Sequence, residues 1–420
     1  MVKEFKNDTF KLISLFIFIT YAALYDIFSA FFGGTVIRLG LIALCYGSFL
    51  FIFVFGKERI YSAYLVFLSI FGGVIIFYSV LNGKNNFLFE EYALPTSVTL
   101  FSGVVGFYFM AIQRDAKGLN NMLKITTLIL TAYYYLYSFD IVNSEEYEFG
   151  YSMGFGFRVL LPCILSLHFA FEKREKKKIL SLIWFLPFAL CMFLILTYGS
   201  RGPIIGVLAY LILRFGLVFL LDKKVSFAKK MAMLLLIILG SMAVYTFFGY
   251  FVEVFADYLD DLGITSRTIT RILNQTIADD NGRDFFFKKA LSKITVAGLG
   301  PFSDQYMWGR GNYCHNFFLE VLLDFGFVIG MGIIILVIVL ICKIIGRSED
   351  NPWFSLFVVF LSYCLGRLMF SGTFWSETMF WMTLGLGWIC LKRPDLQTEE
   401  KENDQKNPKK NQKIRIQKNI

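Results

Sequence analysis

The sequence predicts an all-α polytopic membrane protein, and three observations carry that expectation. Of 420 residues, 56% are hydrophobic and 17% charged, against roughly 25% charged in an ordinary globular chain. The mean hydropathy is +0.60. Aromatic residues reach 18%, with 49 Phe and 22 Tyr, more large apolar surface than so few charges could keep in water. The same figures exclude intrinsic disorder, a coiled coil and a secreted disulfide scaffold. Six of the seven cysteines lie in or beside apolar runs, and no Cys or His spacing suits a metal, so neither a metal nor a cofactor is expected.

A spanning helix needs roughly 20 mostly apolar residues. That ruler gives about 12 transmembrane helices, at residues 10–29, 36–55, 60–80, 93–112, 124–141, 153–171, 179–198, 203–221, 231–250, 316–341, 353–370 and 374–391. The first follows Lys3, Lys6 and Lys11 without a small-residue cleavage site, so it reads as a retained helix. With the N-terminus cytoplasmic, 29 of the 41 basic residues fall on inside segments, while outside loops carry Glu90, Glu91, Glu145, Glu146 and Glu148. An even helix count puts both termini in the cytoplasm. The +9 charge is thereby explained by topology and does not call for nucleic acid.

The chain divides into helices over 1–250, an extracytoplasmic loop over 251–315, three helices over 316–391 and a basic, disordered tail over 392–420. That tail either stays solvated or touches anionic membrane lipids. Within the loop, Phe251–Leu262, Arg267–Ile277 and Arg283–Ile294 read as amphipathic helices, Asn281 is placed to cap the last, and Gly298 to Gly311 is rich in glycine and aromatics. A long structured loop points to function on the outer side.

Ionisable residues in apolar segments usually face a site or a partner. Arg38, Arg158, Arg201, Arg367 and Glu377 all fall in the outer half of the predicted bundle. Singly, each reads as well as a snorkelling residue, or Arg367 as the partner of Glu377. Together the arginines suggest an anionic substrate. Arg201 stands in Tyr198-Gly199-Ser200-Arg201-Gly202-Pro203, a tight turn into a helix N-terminus, where free N–H groups and a guanidinium could hold a phosphate. Of the two histidines, His168 reads as structural. His315 suits proton transfer near neutral pH, or equally a helix cap. Cys314 adjoins it, and adjacent residues rarely face one another.

In these residues the sequence resembles the O-antigen ligase/O-antigen polymerase superfamily. The matching elements are Ser200-Arg201-Gly202, Gly282-Arg283, Gly298-Leu299-Gly300, and His315-Asn316-Phe317-Phe318-Leu319-Glu320 leading to Phe325-Gly326, across residues 195–335. The resemblance implies a membrane-embedded, GT-C-like glycosyltransferase in the bacterial cytoplasmic membrane, inverting and metal-independent, with its site outside. It would be a polymerase of lipid-linked repeat units for O-antigen, capsule or exopolysaccharide, or alternatively a ligase moving the finished glycan. Arg201 and Arg283 would bind the diphosphate, and His315 would position or deprotonate the acceptor hydroxyl. Arg38, Arg158, Arg367 and Asn316 would line the substrate site. Arg267 and Arg271 would add contacts or form a solvated face. The implied partners are an undecaprenyl-diphosphate-linked oligosaccharide, as donor and as acceptor, and a polysaccharide chain-length regulator. A flippase is the competing class. Against it, the central joint spans only 172–178 and no second half repeats the motifs.

Overall fold

The computed structural model describes residues 2–56, 60–82, 99–143, 153–172, 181–217, 226–264, 266–274, 283–309, 312–346 and 351–392. All regular structure among them is helical. The chain opens with α1 (Val2–Ile19), α2 (Tyr21–Phe32), α3 (Gly34–Phe55) and α4 (Tyr61–Asn82). The first two meet at a 68° bend. At that joint the Thr20 hydroxyl donates back to the Phe16 carbonyl at 2.7 Å, a competing bond that bends helices.

Next come α5 (Thr99–Ala111), α6 (Ala116–Asn143), α7 (Met153–Ala170), α8 (Phe185–Tyr198) and α9 (Arg201–Leu211), the last running into a π turn over Ile212–Leu217. Then follow the 35-residue α10 (Phe227–Asp261) and three short helices, α11 (Arg267–Leu273), α12 (Arg283–Leu291) and α13 (Ser303–Trp308). The chain closes on α14 (Phe317–Gly346), α15 (Phe354–Leu368) and α16 (Thr378–Lys392). The main body packs α5 on α16, α7 on α8 and α9 on α15.

The number of spans corrects the expected fold. Among the described residues three helices are long and apolar enough to cross a membrane: Gly34–Phe55, Tyr61–Tyr78 and Phe317–Gly346. Counting the bent α1–α2 pair as one span makes four. The twelve-helix polytopic, GT-C-like frame is not what this chain builds, and its multi-pass placement in the bacterial cytoplasmic membrane falls with it. The physical reason is that an apolar run can be apolar for a different cause. Twelve of the fifteen residues of α15 are buried by neighbouring helices, so its hydrophobicity serves the protein interior. At 15 residues it is also too short, and α8 is shorter still at 14. The three long helices behave differently. Val36, Leu39, Val66, Ile70, Phe327 and Val328 on them are more than half exposed. The predicted outside loops around residues 90 and 145, the Asn281 cap and the tail beyond Lys392 lie outside the described residues.

One crossing sets how closely the body packs. Where α9 meets α15, a Cβ on Gly366 would stand 2.6 Å from the Gly206 Cα, so the two backbones touch. Gly366→Ala is expected to cost about 1–3 kcal/mol through overpacking. Gly332→Ala on α14, where a Cβ meets nothing within 4 Å, is expected to be neutral or mildly stabilising. Thermal unfolding of the two variants in the same detergent checks the contrast.

Candidate functional site

Four segments converge at one end of the body: the turn before α9, the start of α12, the residues leading into α14, and the turn between α15 and α16. In the first, Gly199 and Ser200 are extended, and α9 begins at Arg201. The helix α11 is fastened to this turn. The Ser266 hydroxyl donates to the Leu196 carbonyl at 2.6 Å and the Thr268 hydroxyl to the Gly199 carbonyl at 2.9 Å. Arg201 is half-buried there. The hydroxyls of Thr197 and Ser200 beside it are buried without a hydrogen-bond partner.

A single aromatic ring joins this turn to the next segment. Phe157 of α7 is so close to Gly202 that an added Cβ would stand 2.4 Å from it, and the Arg367 guanidinium lies 4.6 Å from the centre of its ring. Arg367 ends α15. Its Nε donates to the Glu377 carboxylate at 3.0 Å, so the pairing expected as one alternative is present. The turn between α15 and α16 wraps this pair, passing Gly372 at φ +89°.

His315 closes the cluster. Its backbone is in the left-handed region at φ +53°, uncommon and strained for a residue with a side chain. The imidazole packs against Tyr313 with centroids 4.2 Å apart and ring planes at 47°, and meets Phe286 of α12 at 6.0 Å. The Tyr313 hydroxyl in turn pairs with the Ser371 hydroxyl at 3.0 Å. Burial, and then the charges of Arg283 and Arg367, push the His315 pKa down from the usual 6.5 to about 4. The ring is therefore neutral at physiological pH, and its Nδ1 is buried without a hydrogen-bond partner. Of the residues singled out in the sequence, the structure thus gathers His315, Arg283 and Arg367, with Arg201 one aromatic ring away.

The others are placed differently. Asn316 spends its side-chain carbonyl on capping α14, accepting from the N–H groups of Phe318 at 3.0 Å and Leu319 at 3.2 Å. Arg38 and Arg158 are exposed on α3 and α7, Arg267 is exposed on α11 and Arg271 is half-buried there. The hydrogen bonds and ion pairs among the described residues join none of these four to His315. His168 is buried, its Nδ1 3.2 Å from the Tyr210 hydroxyl.

Sequence reasoning missed the carboxylates that hold the site in shape. Asp304, Glu320 and Asp324 are buried, and none is ion-paired among the described residues. Asp304 accepts from the N–H groups of Gln305 at 2.8 Å and Cys314 at 2.9 Å. Asp324 accepts from the Ser303 hydroxyl at 2.9 Å and the Trp375 indole N–H at 2.7 Å. Glu320 takes the Thr373 hydroxyl and, at 3.3 Å, the Phe374 N–H. Burial raises the pKa of Asp304 above the usual carboxylate range and that of the Cys314 thiol well above its own. Cys314 is therefore an inert, buried thiol. The available signal was Glu320 and Asp324 at a four-residue spacing in an apolar helix, an expensive arrangement to place anywhere but a polar pocket.

The glycine motifs meet as well. Gly326 kinks α14 at φ +76°, and the 295–300 segment lies along the kink. There Leu299 N–H donates to the Leu323 carbonyl, Gly300 N–H to the Asp324 carbonyl and Phe327 N–H to the Thr295 carbonyl, each at 2.9 Å. A Cβ on Gly298 would lie 2.3 Å from the Asp324 oxygen, and one on Gly326 2.2 Å from the Val296 oxygen. No other residue type fits between them.

No family model, curated protein or solved structure matches the chain. Among the described residues, no group of three or more His, Cys, Asp or Glu side chains is placed to hold a metal ion. The activity expected from the superfamily is corrected together with its frame. A repeat-unit polymerase or ligase of the membrane-embedded, GT-C-like type does not fit a chain whose described residues supply three, or at most four, membrane-crossing helices.

Two outcomes test this geometry. His315 should stay uncharged down to about pH 4 in an NMR titration of its ring, and Arg283→Gln should move its pKa upward. The sign for stability follows from linkage. The unfolded chain takes up the proton near 6.5 and the folded one only near 4, so His315 makes the fold less stable as pH falls through that window and has no such effect above it. A midpoint near 6.5 would place the ring in open solvent. Separately, Asp324→Ala should destabilise by about 1–3 kcal/mol for each buried donor it strands, while Asp324→Asn keeps an acceptor and should cost less, as read from denaturant midpoints.

Proposed function

We propose that this chain binds the phosphate end of an amphiphile of the polyprenyl-diphosphate class at the Arg283–His315–Arg367 cluster. The observation that carries the reading is the setting of His315: a neutral imidazole held beside two guanidinium groups, with a buried ring nitrogen that lacks a partner. Fixed cations around a partly desolvated pocket favour an anion, and a guanidinium matches two phosphate oxygens at once. The half-buried Arg201 at the N-terminus of α9 extends the same positive field, with the unpartnered Ser200 hydroxyl beside it.

The hydrocarbon part of the ligand is argued from position. His315 stands two residues before Phe317–Gly346, the longest and most apolar of the candidate spans. A headgroup at the entrance to such a helix leaves its tail level with apolar surface. The resemblance of the Ser200-Arg201-Gly202 and His315-Asn316 elements to the superfamily supports the same ligand class. The reading is of a binding protein.

Farnesyl diphosphate in detergent is the probe. Titration calorimetry should show saturable binding, weakened about 10-fold or more in Arg283→Gln, a loss of about 1.4 kcal/mol or more. Arg283→Lys should recover little of it. Bound diphosphate should also raise the His315 pKa, because its negative charge offsets the two guanidinium groups. Wild-type affinity in Arg283→Gln together with an unmoved His315 titration would remove the ligand from this cluster.

A further inference from the structure

A second site runs along α16. Between α4, α14, α15 and α16 runs a cavity of about 490 Å³, within the usual range for small-molecule sites. Its wall is almost wholly hydrocarbon, including Phe67, Phe318, Ile341, Leu365 and Leu391. The polar side chains in the wall are spent inside the protein: the Tyr64 hydroxyl donates to the Val104 carbonyl and the Thr383 hydroxyl to the Met379 carbonyl, both at 2.7 Å. Among the described residues, Lys392 is the only charged one in the lining. Its side chain is exposed, with the ammonium 5.1 Å from the centre of the Trp388 ring.

We propose that this cavity holds one acyl chain of an anionic glycerophospholipid, with the lipid phosphate on Lys392. Three features fit that occupant. The lining extends along α16 from Phe380 to Lys392, about 18 Å at 1.5 Å per residue, close to the roughly 15 Å depth of one bilayer leaflet. Two of the helices that line it, α4 and α14, are candidate spans, and the lining residue Ile338 of α14 is 47% exposed. Lys392 beside Trp388 is the usual pairing of a cation and an indole at headgroup level.

The arginine cluster does not serve this cavity. Arg367 turns toward Phe157 and Glu377, while its neighbours Leu365, Leu368 and Met369 face the lining. The diphosphate site and the lipid site therefore stand on opposite faces of α15 and can fail independently.

The test uses the purified full chain and native mass spectrometry, titrating phosphatidylglycerol against phosphatidylcholine of identical acyl chains. One phosphatidylglycerol should be retained per chain, at least about 5-fold in preference to phosphatidylcholine. Lys392→Gln, at an exposed position, should abolish the preference without loss of folding. Leu340→Trp, which fills the cavity from α14, should lower retention of both lipids about 10-fold. Retention unchanged in Leu340→Trp would overturn the site, and so would equal retention of the two lipids by the wild type. Displacement of phosphatidylglycerol by equimolar undecaprenyl phosphate would also overturn it, by assigning the cavity to a polyprenyl chain.

Discussion

The site depends on three buried carboxyl groups that form no ion pair among the described residues. Asp304, Glu320 and Asp324 lie buried where the loop, the start of α14 and the turn between α15 and α16 meet; Cys314 holds the first, and the 373–375 turn holds the other two. A buried carboxylate without a cation is stable only if its lone pairs are met, and here backbone N–H groups, two hydroxyls and an indole meet them. The directional demand of these bonds gives the loop one position relative to α14. His315 and Tyr313, on either side of the residue that bonds Asp304, are placed as a consequence.

Charge is thereby sorted across a short distance. The carboxylates are locked inward beneath the loop, while Arg283 and Arg367 bear on the imidazole above it. Holding these acidic groups in hydrogen bonds to backbone and side-chain donors keeps them from pairing with the guanidinium groups of the cationic side. Glu377 is the exception. It engages Arg367 from the far side of the turn and fixes the guanidinium over Phe157.

Much of this was legible in the sequence, residue by residue. Gly199 and Pro203 signal the turn that presents Arg201, and the starts of α11 and α12 lie at Arg267 and Arg283, where amphipathic periodicity puts them. The motifs containing Gly298 and Gly326 were visible as separate elements, and only their packing shows that they form one clasp. The carboxylate partners were not legible, because Trp375 and Thr373 reach Asp324 and Glu320 across some fifty residues of sequence. One predicted span shows how the excess over the described residues arises. The hydropathy of Phe354–Leu368 does not reveal whether lipid or protein surrounds it, and only the fold shows that protein does.

The left-handed backbone of His315 has a consequence for how the chain balances durability against use. Glycine adopts φ +53° freely, whereas a residue with a Cβ is held there only when its surroundings insist, at a cost of order 1–3 kcal/mol. A sequence tuned for durability alone would place glycine at this position. Histidine there keeps an imidazole between Tyr313 and Phe286 at that backbone cost. His315→Gly would therefore relieve the backbone while removing the ring that packs on Tyr313 and Phe286, so conformational ease and side-chain packing pull in opposite directions at this one position.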